Sequence, residues 1–370
     1  MGKHIAIVLN TSWNVFNFRL NLLKSLQKDG YEITVIAPKD EYSILLEKEG
    51  FNYIDLKMDN DSTNIFKELK LMLHMYNLYK SINPDIILQY TIKPNIYGTL
   101  VSVVLKIPVI NNISGLGTIF LKDKFVYKMA RLFYKIILRF PKKVFFQNQY
   151  DHQKFLDLKL VKAVNSETIP GSGIDTNRFK PVNQEKNNDS FQFLMIARLI
   201  KDKGVVEYIE AIKMVKKNYP NVKFQFIGSL YLGNPTAITE EELNVWIEED
   251  IIDYLGTSDE IEQIIAKADC VVLPSYREGL SRVLLEAASM EKSIITTDVP
   301  GCKDVVDHGV NGFLCKVKDS QSLANAMIDM IELPLEKRKA MGKKSREKVV
   351  NEFHEDILIS KYISTIKEII

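Results

Sequence analysis

The chain has 370 residues, of which 46% are apolar and 26% are charged, so it is long enough for two globular domains of ordinary size. No run of 18 uncharged apolar residues is present, which argues against a bilayer-spanning helix, and the three cysteines lack metal-type spacing. Residues 1–180 contain 25 Lys and Arg against 16 Asp and Glu, whereas residues 181–370 contain 24 against 31. We therefore expect a basic and an acidic half with different partners.

Short apolar runs alternate with amphipathic stretches along the whole chain. The predicted strands of the first half are His4–Leu9, Glu32–Ala37, Asp85–Gln89, Pro108–Ile113 and Lys143–Gln147. Those of the second half are Gln192–Ile196, Lys223–Ile227, Ile252–Leu255, Cys270–Leu273, Ser293–Thr297 and Gly312–Cys315. Most lack polar alternation, which is typical of parallel sheets covered by helices on both faces. The sequence predicts an α/β fold with two Rossmann-like, doubly wound domains.

The stretch Lys180–Ser190 is polar and without periodicity, so we interpret it as the linker between domains 1–180 and 181–354. Two such domains facing each other would place the carboxyl ends of both sheets around one cleft suited to an anionic ligand. Phosphorylases, epimerases and transferases all fit this plan.

The most informative segment is ADCVVLPSYREGLSRVLLEA at 268–287. A buried strand is predicted to end at Leu273, and a helix to begin near Ser281, a residue type that caps helices well. Glu278 lies on the intervening loop and Glu286 on the helix, where a phosphate would also meet the positive end of the helix dipole. Two solvated glutamates would be the simpler interpretation of an isolated pair, but the ordered pattern favours a functional loop.

The segment REGLSRVLLEA resembles the E-x7-E motif of the retaining GT-B glycosyltransferases of family 4, in which two Rossmann-like domains face each other across a cleft. The upstream segment MIARLIKDKGVVEYIEA resembles that family's diphosphate clamp, which implies this role for Arg198 and Lys203. An Arg fork and a Lys point charge suit a departing nucleotide diphosphate. The resemblance implies that Glu278, Arg198 and Lys203 are catalytic and that residues 355–370 pack back on the first domain.

The resemblance also implies a donor site in the second half. Gly228 follows a predicted strand, where the backbone must approach a ligand closely, and IDYLG resembles the family's nucleotide-base loop. The residues expected to bind the donor are Glu286, Gly228, Tyr254, Leu255, Gly256, Gly279, Leu280, Ser281 and Arg282.

In the first half the segments NVFNFR, YTIKPNIYGTL, ISGLGTIF and IPGSGIDTNRF are similar to bacterial transferases that extend undecaprenyl-linked sugars. This implies a UDP-sugar donor, with UDP-N-acetylgalactosamine the first choice, and an undecaprenyl-diphosphate-linked sugar as acceptor, with N,N'-diacetylbacillosamine the first choice. Capsule or O-antigen assembly with another UDP-sugar is the alternative. Residues 114–117 lack the His or acid that many relatives have there, so no general base is assigned.

Candidate acceptor residues follow from these segments. Lys93, Asn95 and Arg19 are expected at the acceptor pyrophosphate, although contacts that merely order the loop explain Lys93 and Asn95 equally well. The full set of acceptor candidates is Asn14, Arg19, Lys93, Asn95, Gly115 and Gly117.

Five cations recur at helical spacing within residues 124–139, and Pro141 follows. They are Lys124, Lys128, Arg131, Lys135 and Arg139. A basic amphipathic helix can lie on anionic lipid at the cytoplasmic face of a bacterial inner membrane, whereas a core-packed helix with a solvated basic face is the alternative.

We expect no metal and no cofactor, the UDP-sugar being a substrate, and no nucleic acid partner. Asp59-Asn-Asp61 resembles a metal-binding DxD motif of another transferase fold, but its polar setting favours a solvated turn. A sugar-nucleotide epimerase and an inactive glycolipid-binding scaffold remain as rival functions.

Overall fold

The structure is a computed structural model, and it describes residues 2–60, 62, 64–115, 132–182, 190–231 and 233–370. The chain forms two compact units, one of residues 1–173 with 355–370 and the other of residues 174–354. The boundary therefore falls at Gly173, seven residues before the predicted domain end. Ile174 already belongs to the second unit because its side chain is fully buried in that core and its N–H donates to Phe353 O (3.0 Å).

The first unit contains a seven-stranded parallel sheet in the order β3-β2-β1-β4-β5-β6-β7. Its strands are β1 His4–Val8, β2 Glu32–Ala37, β3 Asn52–Asp55, β4 Ile86–Tyr90, β5 Val109–Ile113, β6 Lys143–Phe146 and β7 Ser166–Thr168. The helices described in this unit are α1 Ser12–Lys28, α2 Glu41–Lys48, α3 Ile65–Ile82, α4 Thr99–Leu105, α5 Gln149–Asp157 and the carboxyl-terminal α12 Glu355–Ile369. A π-helical turn at Pro94–Gly98 precedes α4, and residues 132–137 are also helical.

The second unit contains a six-stranded parallel sheet in the order β10-β9-β8-β11-β12-β13. Its strands are β8 Gln192–Ile196, β9 Lys223–Ile227, β10 Asp253–Tyr254, β11 Cys270–Leu273, β12 Ser293–Thr297 and β13 Gly312–Cys315. Its helices are α6 Val205–Lys216, α7 Glu240–Glu248, α8 Ile261–Lys267, α9 Arg282–Ser289, α10 Ser320–Glu332 and α11 Leu335–Glu352. Both sheets reverse strand order beside their first strand, so the predicted doubly wound fold is confirmed.

The central strands are apolar on both faces because helices cover both sides of each sheet. In β1, residues 5–8 have no exposed surface, and in β11 all four residues are buried. Tyr362 of α12 extends the first core, stacking on Tyr90 with ring centroids 6.3 Å apart and accepting a hydrogen bond from Asn112 Nδ2 (3.0 Å). The carboxyl-terminal helix is therefore part of the amino-terminal unit.

Polar caps fix where the helices begin. Thr11 Oγ1 accepts from the N–H of Asn14 (3.1 Å) at the start of α1, and Ser281 Oγ accepts from the N–H of Leu284 (3.4 Å) at the start of α9. Helix α9 thus begins where the sequence predicts, directly after the loop that carries Glu278.

Candidate active site

Lys203 and Glu278 form an ion pair at the carboxyl edge of the second sheet. Lys203 closes the 3₁₀ turn Lys201–Lys203 after β8, and Glu278 lies on the loop after β11. Since β8 and β11 are neighbours in the sheet, their loops meet, and Lys203 Nζ donates to Glu278 Oε1. The two side chains are 20% and 14% exposed, so water screens this pair less than a surface pair.

Backbone contacts hold these two loops together. The N–H of Tyr276 donates to Asp202 O (2.9 Å), and the Tyr276 hydroxyl donates to Glu207 Oε1 (2.7 Å) at the start of α6. Gly204 has φ +74°, and a Cβ atom there would lie 2.1 Å from Pro274 O. The close approach of the turn carrying Lys203 to the loop carrying Glu278 therefore requires this glycine.

A third loop, after β12, forms backbone hydrogen bonds with the Glu278 loop. The N–H of Glu278 donates to Pro300 O (3.3 Å), and the N–H of Ser281 donates to Gly301 O (3.0 Å). Gly301 has φ +79°, and a Cβ atom there would lie 2.4 Å from Glu278 O. Pro300 and Gly301 were not among the residues predicted from the sequence, although a Pro-Gly pair shortly after a buried strand is a signal for such a turn.

Arg198 extends from the loop after β8, on the same sheet edge. Its side chain is exposed and its guanidinium stacks on Tyr231, with Cζ 5.1 Å from the ring centroid. Among the described residues it has no carboxylate partner, in contrast to Lys203. The guanidinium is therefore a cation whose charge no described carboxylate neutralises.

Glu286 lies on α9, about one and a half turns after Ser281, and is 9% exposed. Arg282 Nε donates to its carboxylate (3.1 Å), and Arg178 and Glu262 add further charge nearby. Burial raises the pKa of Glu286, while the two arginines oppose that rise. The structure thus places Glu286 in a charged cluster, with Gly279, Leu280, Ser281 and Arg282 leading into its helix.

The remaining candidate donor residues lie around the end of β9. The N–H of Gly228 donates to Gly256 O (2.8 Å), and the Tyr254 hydroxyl donates to Gly228 O (2.8 Å). A Cβ atom on Gly228 would lie 1.7 Å from Ala197 O, so the two loops touch here. Leu255 donates its N–H to Phe226 O (2.8 Å) and is half-buried against the core. Contact between Gly228 and Ala197 links these residues to the loop that carries Arg198.

A cavity of about 350 Å³ lies in the first unit, at the carboxyl ends of β1, β4 and β5. Three of the acceptor candidates, Lys93, Asn95 and Gly115, line it. Gly117 lies outside the described residues. The cavity adjoins the point where the strand order reverses, which is where doubly wound sheets bind ligands.

Two acceptor candidates are placed differently from our expectation. Arg19 is 3% exposed and lies beneath the sheet edge with its Cζ 4.7 Å from the Tyr90 ring, because α1 packs its side chain into the core. Asn14 lies in the first turn of α1, where its N–H donates to the capping Thr11 Oγ1 (3.1 Å). Neither residue lines the cavity, so neither is placed to bind the acceptor pyrophosphate there.

Lys93 makes the loop-ordering contacts that were the alternative interpretation. Its ammonium group donates to Glu68 Oε1 (2.6 Å), Asp59 O (2.7 Å) and Ser62 O (2.8 Å). An ammonium group has three N–H donors, so all three are used. Asp59 also pairs with Lys67 (3.0 Å), as a turn residue would.

The basic segment exposes apolar side chains. Its described part is residues 132–140, which include the cations Lys135 and Arg139. Tyr134, Ile137 and Leu138 of this part are buried, whereas its other large apolar residues are about half exposed. The exposed ones are Leu132 (50%), Phe133 (51%), Ile136 (48%) and Phe140 (48%). The segment therefore packs on the core through Tyr134, Ile137 and Leu138, as the core-packed interpretation expects, while these four apolar side chains stay exposed. Lys124, Lys128 and Arg131 lie outside the described residues.

The described residues contain neither a membrane-spanning helix nor a metal-binding cluster. No helix described here is both long and apolar enough to cross a membrane. Within the same residues, no group of three or more His, Cys, Asp or Glu side chains is placed to bind a metal ion.

Two protein families match the chain, one in each half. Residues 4–148 match the family described as glycosyl transferase 4-like, and residues 176–348 match glycosyl transferases group 1. The Lys203–Glu278 pair, Arg198 and helix α9 all lie within the second match.

Individual proteins are similar over nearly the full length. The N,N'-diacetylbacillosaminyl-diphospho-undecaprenol α-1,3-N-acetylgalactosaminyltransferase of Campylobacter jejuni is 26% identical, with 99% of each chain covered. The capsular polysaccharide biosynthesis glycosyltransferase CapM of Staphylococcus aureus is 26% identical, covering 94% of this chain and 93% of that one. Among solved structures, Anabaena HepE in complex with UDP and glucose superposes with a TM-score of 0.81 at 20% identity, covering 98% and 99% of the two chains. The chain is a glycosyltransferase with the GT-B fold, whose amino-terminal half matches the glycosyl transferase 4-like family and whose carboxyl-terminal half matches glycosyl transferases group 1.

Proposed function

We propose that the chain transfers a sugar from a UDP-sugar to a sugar carried on a polyprenyl diphosphate, with retention of the anomeric configuration. The observation that carries this proposal is the Lys203–Glu278 pair beside the amino terminus of α9. A cation, a carboxylate and a helix dipole at one sheet edge suit a sugar bound through a diphosphate.

The cations act on the leaving group. As the bond between the anomeric carbon and the diphosphate oxygen breaks, negative charge grows on the diphosphate. Arg198 and Lys203 stabilise that charge, together with the positive end of the α9 dipole. The Lys203 ammonium group has one described hydrogen-bond partner, Glu278, so it retains N–H donors for phosphate oxygens.

The carboxylates orient the donor. Glu278 lies partly exposed on the loop and accepts hydrogen bonds from the transferred sugar's hydroxyls, and Glu286 on the helix binds the ribose hydroxyls. The acceptor hydroxyl attacks from the face that the diphosphate leaves, and a diphosphate oxygen takes its proton. No protein general base is assigned to this step.

The named relatives support the choice of substrates. The Campylobacter enzyme is named for the transfer of N-acetylgalactosamine to diacetylbacillosaminyl-diphospho-undecaprenol, and HepE was solved with UDP. We therefore propose UDP-N-acetylgalactosamine as donor and undecaprenyl-diphosphate-linked N,N'-diacetylbacillosamine as acceptor, in glycan assembly for protein N-glycosylation. CapM supports the second candidate, a capsular glycan with another UDP-sugar.

We place the chain at the cytoplasmic face of the membrane as a peripheral protein. Half-exposed Phe133 and Ile136 lie beside Lys135 and Arg139, a combination that suits an anionic lipid surface. Helix α3 exposes a second apolar face, formed by Ile65, Phe66, Leu69 and Leu73, which are 51–78% exposed. A lipid-linked acceptor requires such contact.

UDP release from several UDP-sugars, measured with and without a polyprenyl-diphosphate-linked sugar, tests the proposal. Acceptor-dependent release supports transfer. Acceptor-free isomerisation of the donor would instead support an epimerase, and neither reaction would support a glycolipid-binding scaffold. The same assay in EDTA tests metal independence, because complete loss of turnover would contradict it.

A further inference from the structure

The cavity of the first unit offers neutral hydrogen-bonding groups rather than free positive charge. Its lining includes Asn10, Asn60, Thr91, Asn95 and Ser114. Lys93 also lines it, but Glu68 neutralises its charge and its three N–H donors are used. At about 350 Å³ the cavity matches the smaller end of ligand pockets, about 300–1,000 Å³.

Two lining residues carry buried polar atoms without a partner. Among the described residues, neither Thr91 Oγ1 nor Asn95 Oδ1 has a hydrogen bond, although Asn95 is only 2% exposed. Thr91 has φ +66°, a conformation that a β-branched residue rarely adopts. Strained and unsatisfied groups of this kind cluster where a ligand completes them.

The hydrogen bonds of Asn95 define what the ligand must supply. Asn95 Nδ2 donates to Asn112 O (2.8 Å), so turning the amide around would place two carbonyl oxygens in contact. Asn95 Oδ1 therefore stays an acceptor and requires a donor from the ligand. An ionised diphosphate has only acceptor oxygens, whereas a sugar has hydroxyl donors and an acetamido sugar adds an N–H.

We propose that this cavity binds the sugar of the acceptor. Asn95 Oδ1 accepts a hydrogen bond from a sugar hydroxyl or an acetamido N–H, and the Thr91 hydroxyl forms a hydrogen bond with the same sugar substituent. The acceptor diphosphate lies elsewhere, and Lys93 holds the backbone at Asp59 and Ser62. This inference rests on the proposed function, and it corrects the expectation that Lys93 and Asn95 hold the pyrophosphate.

Ligand-observed saturation-transfer NMR on the full chain tests the site without turnover. The probes are the methyl glycosides of N-acetylglucosamine and N-acetylgalactosamine, with UDP present to occupy the donor site. We expect saturation transfer that excess inorganic pyrophosphate does not reduce, that Thr91→Ser retains, and that Thr91→Val lowers at least fivefold. No transfer to either glycoside, or its loss on adding pyrophosphate, would overturn the proposal.

Kinetics with two lipids test the same assignment during catalysis. Thr91→Val should raise the KM for the sugar-bearing polyprenyl diphosphate at least tenfold, while bare polyprenyl diphosphate inhibits wild type and variant equally. Equal weakening of both lipids would contradict the assignment. If wild type releases no UDP with any acceptor, the proposed function fails, and the NMR result still decides whether the cavity binds a sugar.

Discussion

Lys203 Nζ and Glu278 Oε1 join two loops that are 75 residues apart in the chain. Removing the carboxylate should leave the fold intact. It should also remove a hydrogen-bond acceptor for the donor sugar and the partner that positions Lys203. We expect Glu278→Ala to lower kcat by about 100-fold or more, as found when one preorganised group is removed. Because the two side chains are only 20% and 14% exposed, Lys203 loses its partner in a largely buried position, and the free energy of unfolding should fall by about 1–3 kcal/mol.

A pair outside the site provides the control. Lys213 and Glu210 lie 3.2 Å apart on α6, in the same unit, and both are nearly half exposed. Glu210→Ala should leave kcat within about twofold of wild type, since exposed pairs contribute little. Near-full turnover in Glu278→Ala would remove Glu278 from the mechanism.

Gly301 should control the Glu278 loop through sterics alone. In Gly301→Ala the new methyl group would lie 2.4 Å from Glu278 O and 2.6 Å from Glu278 C, and backbone atoms cannot rotate away. We expect kcat to fall about tenfold or more, because small displacements of catalytic groups are costly. UDP release measures the effect, and thermal unfolding reports the change in stability.

Gly309 is the matched control for that substitution. It has a similar φ of +76°, but a Cβ atom there would meet nothing within 4 Å. Gly309→Ala should therefore cost only the left-handed backbone strain, about 1–2 kcal/mol, and keep kcat. Equal activity of the two alanine variants would show that the Gly301 contact does not position the loop.

The sequence predicts the central strands well because a strand that is buried on both faces consists of an uninterrupted run of apolar residues. The edge strands β3 and β7 were missed, since Asn52–Asp55 is half exposed and Ser166–Thr168 has three residues, so neither forms an apolar run. The loops that carry the motif residues were also located correctly, because the predicted end of a strand determines where the next loop begins.

Contacts between distant segments could not be predicted in the same way. Nothing local in IKPN indicates that Lys93 pairs with Glu68, 25 residues upstream, rather than with a ligand. Likewise, the helical spacing of residues 132–140 defines two faces but not which of them meets the core. Phe133 and Ile136 are exposed because Tyr134 and Leu138 occupy that core instead.

Glu286 should make UDP binding sensitive to pH. Its pKa is raised by burial, so it takes up a proton at a higher pH than an ordinary glutamate. Protonation removes acceptor capacity that the ribose hydroxyls need, and UDP affinity should therefore fall as the pH falls through this pKa. Calorimetric titration with UDP between about pH 5 and pH 8 measures the effect.

The free energy of unfolding should change with pH in the opposite direction to UDP affinity, so the two effects of Glu286 can be separated. Since the folded state binds this proton more tightly than the unfolded state, the contribution of Glu286 to the free energy of unfolding rises as the pH falls toward the unfolded pKa. Glu286→Gln should bind UDP weakly and keep only the pH dependence of UDP itself. An unchanged pH slope in this variant would assign the titration to another group.

The exposed apolar residues at 132–140 should bind membranes together with the neighbouring cations. Sedimentation with vesicles rich in anionic phospholipid measures this at low and high salt. Lys135→Glu with Arg139→Glu should lower binding mainly at low salt, because ions screen charge attraction over about 10 Å at 0.1 M. Phe133→Ser with Ile136→Ser should lower binding at both salt concentrations, because each removes apolar surface from the lipid.

Val350 provides the matched control, because it is a 39% exposed apolar residue on α11 in the other unit. Val350→Ser should sediment with vesicles as wild type does, since single exposed apolar residues are ordinary on protein surfaces. If the serine pair and the glutamate pair both sediment like wild type, this segment does not bind lipid, and the exposed face of α3 becomes the next surface to substitute.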